Sequence, residues 1–320
     1  MQETVLLTGA AGFIGSHVAE RLIGEGCAVI GLDNFCDFYD PARKRANVAG
    51  LLQAERFTLV EGDIRDRDAV EAAFAAHAPD VVVHLAAMAG VRPSIERPSY
   101  YADVNVNGTS VLLDAAVKHN VNRFVFASSS SVYGNNEKVP FSEDDPVDYP
   151  ISPYAATKRS CELICHTFWH IHRLPIFCLR FFTVYGPRQR PDLAIAKFLR
   201  LVAAGEAIPF FGDGSTSRDY SYIDDIVVGV MAAIDRCDRF GIYNLGGSSP
   251  VTLNELVETI GEVVGRPVEI DRRPMQPGDV NRTYADLGRS TPELGYAPTT
   301  KLIDGIRRQW AWMREQGLAD

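Results

Sequence analysis

The sequence lacks an apolar run of the roughly 20 residues that a membrane-spanning helix needs. Cysteines are few, six in 320 residues, which excludes a disulfide-stabilised scaffold and predicts reduced thiols. Basic residues are outnumbered, with 32 Lys and Arg against 41 Asp and Glu, for a formal net charge of −9. This balance argues against nonspecific binding to nucleic acid or anionic membranes. No basic segment precedes the first strand-like run, so we expect no signal peptide and a cytoplasmic protein without nucleic-acid or membrane partners.

A metal-binding motif is also lacking. Cys161, Cys165, His166 and His170 are close in sequence, but on a helix the histidines lie about 100° round from the cysteines. The segment has no Glu at the position that the zinc-protease motif His-Glu-x-x-His requires. We interpret the four residues as buried thiols and packed imidazoles, and we expect no metal.

Short β-branched runs alternate with longer helical patterns in the first half of the chain. Such alternation indicates a parallel sheet covered by helices on both faces, with its ligand at the carboxyl ends of the strands. The sequence therefore predicts an α/β fold with a doubly wound parallel sheet of the Rossmann type. Asp66 and Ser152 are suited to helix N-caps. The predicted strands are Val5–Leu7, Val29–Leu32, Phe57–Val60, Val81–Leu85 and Phe124–Ala127, and the predicted helices cover 14–25, 67–77, 105–119 and 153–173.

A glycine-rich turn, with the spacing G-x-x-G-x-x-G over residues 9–15, follows the first predicted strand and opens the first helix. Its glycines permit close approach of the backbone to a pyrophosphate, which the helix N-terminus attracts. Asp33 ends the second strand, where a carboxylate accepts hydrogen bonds from a ribose diol and repels a 2′-phosphate. NAD is therefore favoured over NADP, although Arg43 and Lys44 leave NADP as an alternative. Asp63 follows the third strand, where it either contacts an adenine amino group or caps a helix.

Tyr154 and Lys158 are four residues apart, which places a phenol and an ammonium on one face of a helix. A nearby ammonium is expected to lower the pKa of the phenol from about 10, so that the phenolate can act as a base. The four serines at 128–131 follow the strand that begins at Phe124. One of these hydroxyls can hydrogen-bond the reacting oxygen of a substrate.

Together these motifs resemble the extended short-chain dehydrogenase/reductase family, whose members mostly act on nucleotide sugars. Further matches are His84-Leu85-Ala86-Ala87, Ser131-Val132-Tyr133-Gly134 and Tyr222-Ile223-Asp224-Asp225. The resemblance implies that Ser129 is the catalytic hydroxyl, Tyr154 the acid/base and Lys158 its electrostatic partner. It implies NAD-binding roles for Gly9, Gly12, Phe13, Ile14, Gly15, Asp33, Asn34, Asp63, Ile64, Leu85, Ala86, Ala87, Met88, Asn105, Tyr154 and Lys158.

The resemblance also implies the domain organisation. We expect an NAD-binding domain over 1–180, with later returns of the chain near 218–247. Residues 181–320 are expected to form most of a smaller C-terminal lobe that binds the nucleotide sugar. Relatives pair through two helices, so the resemblance implies a homodimer through 105–119 and 153–173.

The segment around Thr183 is similar to that of the UDP-glucuronate 4-epimerases. Many family members have Asn in place of Thr183, and the following Arg190-Pro191-Asp192 and the run Ala89–Arg92 also match this group. The resemblance implies interconversion of UDP-glucuronate and UDP-galacturonate through a 4-keto sugar, with tightly bound NAD regenerated in each turnover. The resemblance implies an epimerase of an antibiotic or capsule sugar pathway.

Three alternatives stay open. A 4-epimerase of UDP-glucose or UDP-N-acetylglucosamine shares the core motifs. Relatives that are 4,6-dehydratases have Asp-Glu at the positions of Ser130 and Ser131, and those that are UDP-glucuronate decarboxylases have Glu at the position of Ser131. The serines of this chain argue against both. A non-enzymatic NAD sensor would commonly lack Tyr154 or Lys158.

The substrate carries a carboxylate and a pyrophosphate, both of which arginines can bind. We expect Arg92 to contact the sugar carboxylate, with Thr183, Ser130 and Ser131 as hydroxyl donors. Arg188, Arg190, Arg218 and Arg282 are candidates to bind the pyrophosphate. By resemblance, Gln276 and Asp279 contact the nucleoside. The full predicted substrate-binding set is Arg92, Ser129, Ser130, Ser131, Tyr154, Thr183, Arg188, Arg190, Arg218, Gln276, Asp279 and Arg282.

Overall fold

The centre of the molecule is a seven-stranded parallel sheet, seen in a computed structural model that describes residues 3–275 and 280–318. The order of its strands is β10-β6-β5-β4-β1-β2-β3. The order reverses between β1 and β4, which makes this edge the topological switch point where such sheets bind ligands. The strands are β1 (Thr4–Thr8), β2 (Ala28–Asp33), β3 (Phe57–Glu61), β4 (Val81–His84), β5 (Arg123–Ser129), β6 (Ile176–Phe181) and β10 (Phe240–Leu245).

Helices cover both faces of this sheet, as the alternation in the sequence predicts. Successive side chains of β1 point to opposite faces, so Val5 and Leu7 pack in one core cluster and Leu6 in the other. The helices are α1 (Phe13–Gly24), α2 (Pro41–Ala49), α3 (Arg67–His77), α4 (Val91–Glu96), α5 (Pro98–Ala102), α6 (Gly108–Lys118), α7 (Pro153–His172), α8 (Ala194–Ala204), α9 (Ile223–Arg236), α10 (Leu253–Val264), α11 (Ser290–Leu294) and α12 (Leu302–Glu315).

Two predicted caps are confirmed and one helix boundary is wrong. Asp66 caps α3 by accepting from the N–H groups of Asp68 and Ala69, and Ser152 caps α7 by accepting from Ala155. The helix expected from residue 105 instead begins at Gly108, after a π-helical turn over Asp103–Asn107. That turn packs against α7.

The remaining strands build a smaller lobe beside the carboxyl edge of the sheet. One small sheet has the order β11-β9-β7 and another pairs β12 with β8. One core cluster extends from the large sheet into this lobe, where it includes Phe198, Leu256 and Ile306. The strands are β7 (Thr183–Tyr185), β8 (Ile208–Phe211), β9 (Ser217–Tyr222), β11 (Pro250–Thr252) and β12 (Ile270–Arg273).

The cysteines and histidines of α7 pack against other side chains of the molecule. Cys161 and Cys165 are buried in the core, and the His166 ring stacks edge-on against Phe240, with the ring centroids 5.0 Å apart. Within 3–275 and 280–318 no group of three or more His, Cys, Asp or Glu side chains is placed to hold a metal ion. No helix of the same described ranges is long and apolar enough to cross a membrane.

Candidate active site

A deep cleft opens at the carboxyl ends of β1 to β6, between the large sheet and the lobe. The turn after each of these strands contributes to its wall, because parallel strands all end at the same edge. Most of the predicted site residues line it. They are Gly9, Gly12, Phe13, Ile14, Gly15, Asp33, Asn34, Asp63, Ile64, Leu85, Ala86, Ala87, Met88, Ser129, Ser130, Ser131, Tyr154, Lys158, Thr183, Arg190 and Arg218.

The glycine-rich turn is too tightly packed for any other residue at two of its positions. A Cβ on Gly15 would lie 2.0 Å from the Gly9 carbonyl oxygen. Gly9 has φ +71°, and a Cβ there would lie 2.8 Å from the Ala86 nitrogen. Gly12 caps α1 without a side-chain hydrogen bond, so the first N–H groups of this helix remain available to a phosphate. The turn therefore fits the pyrophosphate of a dinucleotide.

Asp33 is held in place at the end of β2. Its Oδ2 accepts from the Ala11 N–H at 3.0 Å and its Oδ1 from the Phe35 N–H at 2.8 Å. A carboxylate oxygen can accept more than one hydrogen bond, so acceptor sites remain for a ribose diol at the cleft wall. This arrangement fits the adenosine ribose of NAD.

Lys44 and Tyr39 are among the cleft residues that the sequence analysis did not include in the predicted binding set. Lys44 is buried at this end of the cleft, where its Nζ donates to the Cys36 carbonyl oxygen at 2.8 Å. Tyr39 lines the same wall, and its hydroxyl is buried without a hydrogen-bond partner among the described residues. Both lie in or after the irregular loop that follows β2, where no periodicity in the sequence marks a side chain as facing inward.

Asp63 lines the cleft as an ionised carboxylate. Arg65 pairs with it through Nη2 at 2.8 Å and Nε at 3.0 Å, and Asn34 donates to it at 3.0 Å. These hydrogen bonds, chiefly those from the Arg65 side chain, lower the pKa of Asp63 to about 2. The carboxylate therefore stays charged at neutral pH, as an acceptor for an amino group requires.

The π-helical turn before α6 positions the cleft wall through Asn105. This residue does not line the cleft; it is buried, and its amide exchanges hydrogen bonds with the backbone of Met88 at 2.8 and 3.0 Å. It also donates to the Thr157 hydroxyl of α7 at 3.0 Å. Asn105 therefore holds the Met88 segment, which lines the cleft, against α7.

His84 stabilises the neighbouring part of the wall. Its Nδ1 is 2.7 Å from the Thr8 hydroxyl and its Nε2 is 3.0 Å from the Thr109 hydroxyl. Burial lowers the pKa of His84 to about 3, so the ring is neutral. The Thr8 hydroxyl also accepts from the Ala86 N–H at 3.1 Å, which ties this cleft residue to the buried imidazole.

One face of α7 presents Tyr154 and Lys158 to the end of β5. Lys158 Nζ donates to the Ala127 carbonyl oxygen at 2.7 Å and lies 6.0 Å from the centroid of the Tyr154 ring. A hydrogen bond with Ser129 acts on the Tyr154 hydroxyl. Ser129 also caps the turn after β5 by accepting from the Ser131 N–H at 3.2 Å. The three predicted catalytic groups therefore meet at one point of the cleft.

The expected lowering of the Tyr154 pKa by Lys158 is wrong for this structure. Burial raises the pKa of Tyr154, against opposing effects of the Ser129 hydrogen bond and the Arg190 charge. Burial also lowers the pKa of Lys158 to about 8. The sequence could not show this, because the desolvation of both groups depends on the walls that surround α7.

Arg92 does not lie in the cleft. It is exposed on α4, and its guanidinium stacks over the Phe211 ring at 4.7 Å from the ring centroid. The arginine beside Tyr154 is Arg190, whose charge acts on the phenol and which shares the cleft with Thr183. The contact that we expected from Arg92 is therefore available from Arg190.

The other predicted substrate residues are divided between the cleft and the surface. Arg218 lines the cleft. Arg188 pairs with Glu20 of α1 at 2.6 Å, and Arg282 donates to the Glu137 carbonyl oxygen in a separate polar groove. Gln276 and Asp279 lie outside the described residues.

Comparisons with known proteins agree with this geometry. The sequence model of the NAD dependent epimerase/dehydratase family matches residues 5–246. The chain belongs to this family, and its cofactor is NAD. It is 39% identical to a UDP-glucuronate 4-epimerase of Thermodesulfobacterium geofontis, over 97% of this chain and 96% of that protein.

Solved structures show the same fold. The UDP-glucuronic acid 4-epimerase of Bacillus cereus, in complex with UDP-glucuronic acid and NAD, has a TM-score of 0.92 at 34% identity. The UDP-glucose 4-epimerase of Thermotoga maritima, with UDP-glucose, has a TM-score of 0.90 at 34% identity. Each comparison covers 98% of this chain and 99% of the other.

Proposed function

We propose that the protein is a UDP-glucuronate 4-epimerase that interconverts UDP-glucuronate and UDP-galacturonate. The observation that carries the proposal is a single cleft in which Arg190 and Thr183 stand beside Tyr154 and the serine turn. A guanidinium and a hydroxyl suit a sugar carboxylate, which a neutral sugar does not have. The similarity to the UDP-glucuronate 4-epimerases of Thermodesulfobacterium geofontis and Bacillus cereus supports the same substrate.

Tyr154 is the acid/base of this reaction. Its phenolate takes the proton from O4 as C4 is oxidised, and the phenol returns a proton to O4 after the 4-keto sugar has turned over in the cleft. NAD, which the glycine-rich turn, Asp33 and Lys158 would hold, would supply a reversible hydride acceptor for C4. Ser129 hydrogen-bonds O4. The Arg190 charge favours the phenolate against the burial that raises the pKa of Tyr154, and Lys158, whose Nζ lies 6.0 Å from the centroid of the Tyr154 ring, is a second positive charge nearby.

The same cleft must prevent loss of CO₂. The 4-keto sugar of glucuronate is a β-keto acid, which decarboxylates readily when the C5–carboxylate bond is perpendicular to the carbonyl plane. We infer that Arg190 and Thr183 hold this bond near the ring plane. Ser130 and Ser131 line the cleft where decarboxylases and dehydratases of the family have acids, which supports an epimerase over both alternatives.

We also propose a homodimer in the cytoplasm. Leu163 and Ile171 are exposed on α7, with 53% and 68% of their surface accessible, although both are large and apolar. Helices α6 and α7 pack against each other and form a face suited to a second copy.

Incubation of the NAD-loaded protein with UDP-glucuronate, UDP-glucose and UDP-N-acetylglucosamine separately tests the function. Chromatography of the products should show UDP-galacturonate from the first substrate, with only traces of UDP-pentose. Mostly UDP-pentose would indicate a decarboxylase, and preferential conversion of a neutral sugar would indicate a different epimerase.

Cofactor choice depends on Asp33. In Asp33→Asn the negative charge that repels a 2′-phosphate is lost, and a ribose acceptor becomes a weaker one. We expect NAD affinity to fall about tenfold and discrimination against NADP to relax. Calorimetric titration with both cofactors measures this, with exposed Asp37→Asn of the same loop as the control. Unchanged discrimination in Asp33→Asn would remove this role from Asp33.

Substrate choice depends on Arg190. Arg190→Ala should lower kcat/KM for UDP-glucuronate about 10- to 100-fold, because a charge-assisted contact with the carboxylate is lost. Steady-state kinetics should show a smaller loss for residual action on UDP-glucose. Arg92→Ala, an arginine outside the cleft, is the matched control and should change neither substrate by more than about twofold. Equal losses on both sugars in Arg190→Ala would limit Arg190 to a role at Tyr154.

A further inference from the structure

Arg190 reaches the cleft with one edge of its guanidinium already occupied. Its Nε donates to Asp192 Oδ1 at 3.0 Å, and its Nη2 donates to Asp192 Oδ2 at 2.7 Å. This is the bidentate pairing that a planar guanidinium forms with a carboxylate. The two residues are separated by Pro191 alone, in the loop between β7 and α8.

The surroundings fix the plane of the guanidinium. Arg190 Cζ lies 4.9 Å from the centroid of the Phe38 ring, so an aromatic face supports one side. The Arg190 side chain is 15% exposed, whereas that of Asp192 is 46% exposed. The guanidinium is thus enclosed in the cleft while its partner carboxylate reaches solvent.

The opposite edge is unused. Nη1 makes no hydrogen bond to any residue within 3–275 and 280–318, and one N–H of Nη2 also remains. Gly90 faces this region, since a Cβ built on it would lie 3.8 Å from Arg190 Nη2. An edge formed by Nη1 and Nη2 can bind a second carboxylate in the same bidentate manner.

We propose that Asp192 is a positioning residue for substrate specificity: it orients Arg190 so that the Nη1–Nη2 edge faces the C5 carboxylate of the sugar. The inference rests on the proposed function. Asp192 also neutralises the guanidinium, so recognition depends on the direction of the free N–H donors more than on net positive charge. An Asp two residues after the arginine therefore contributes to specificity without touching the substrate.

A competing role for Asp192 predicts a change in KM of the opposite sign when Asp192 is removed. If Asp192 only occupied Arg190 until substrate arrived, its removal would free the guanidinium and lower KM for UDP-glucuronate. If Asp192 orients Arg190, its removal raises KM. The direction of the change in KM therefore decides between the two roles.

The experiment uses the NAD-loaded enzyme with Asp192→Asn and Asp192→Ala. For Asp192→Ala we expect KM for UDP-glucuronate to rise about tenfold while kcat falls less than about threefold, with a smaller rise in KM for Asp192→Asn. Affinity for UDP-glucose, measured by calorimetry, should change by less than about twofold because that sugar has no carboxylate. Asp238→Asn, which breaks an exposed Asp–Arg pair on the surface, is the matched control.

A double-mutant cycle separates positioning from general damage to the fold. In the Arg190→Met background, Asp192→Ala should have no further effect on KM, because the guanidinium that Asp192 orients is absent. An unchanged or lower KM in Asp192→Ala, or equal effects with and without Arg190, would overturn the inference. Failure of the wild type to epimerise UDP-glucuronate would instead overturn the proposed function.

Discussion

Tyr154→Phe is expected to slow the epimerisation of UDP-glucuronate by about 10²–10⁴-fold, the usual contribution of a general acid–base. The change removes only the phenolic oxygen, which is the group that hydrogen-bonds with Ser129 at the end of β5. The ring and its edge-to-face contact with Tyr101 remain, with centroids 6.3 Å apart. NAD binding should persist, because the glycine-rich turn and Asp33 are untouched.

Two measurements check this prediction. Single-turnover reaction of NAD-loaded Tyr154→Phe should show a slowed chemical step, and calorimetry should show near-normal NAD affinity. Tyr101→Phe is the matched control, since it removes a phenolic oxygen that donates to the Ala89 carbonyl oxygen at 3.0 Å next to Tyr154. We expect that control to lose less than about tenfold in rate. Near-normal turnover of Tyr154→Phe would place the acid/base elsewhere.

The features predicted well from the sequence are those that local spacing encodes. The glycine turn needs only its three glycines between a strand and a helix, and Tyr154 and Lys158 share a face because they are four residues apart in α7. The central strands are continuous apolar runs because both of their faces are buried, and such runs are visible without any tertiary information. The parallel sheet of the family fold is therefore confirmed.

The features that were missed depend on contacts between distant segments. Arg92 was expected in the cleft, but α4 directs it to Phe211, more than 100 residues later in the lobe. Arg190 was expected at the pyrophosphate, but Phe38 and Asp192 hold it beside Tyr154. No periodic pattern in the sequence indicates where either arginine side chain lies, because both residues are near irregular turns whose direction is set by packing.

A buried charge pair connects α7 to β6. Glu162 follows Lys158 by one helical turn, and its Oε1 and Oε2 accept from Arg180 of β6 at 2.8 and 2.9 Å. The Glu162 and Arg180 side chains are 0% and 1% exposed. Glu162 also accepts from the Ser128 hydroxyl at 2.7 Å, next to Ser129. This carboxylate therefore joins α7, β5 and β6 immediately beneath the reacting groups.

Glu162→Ala should destabilise the protein by about 3–5 kcal/mol, since it leaves the Arg180 charge buried without its partner. No other carboxylate replaces Glu162 in our expectation, since Arg180 Nη1 is already buried without a hydrogen bond among the described residues. The free energy of unfolding in urea, measured on the NAD-loaded enzyme, tests this. Glu25→Ala breaks the exposed Arg21–Glu25 pair and is the matched control, with an expected loss below about 0.5 kcal/mol.

The double variant Glu162→Met with Arg180→Met separates two contributions to the free energy of unfolding: the penalty for an unpaired buried charge and the net contribution of the ion pair. Replacement of both members of a buried pair by apolar residues is often neutral or stabilising, so much of the loss in Glu162→Ala should be recovered. The Ser128 contact is not restored by Met, so turnover should stay below that of the wild type even where stability recovers.

A loss below about 1 kcal/mol in Glu162→Ala would mean that water reaches Arg180, and this account of the buried pair would then be wrong. Full recovery of turnover in the double variant would show that the link from Glu162 to the serine turn has no part in positioning Ser129.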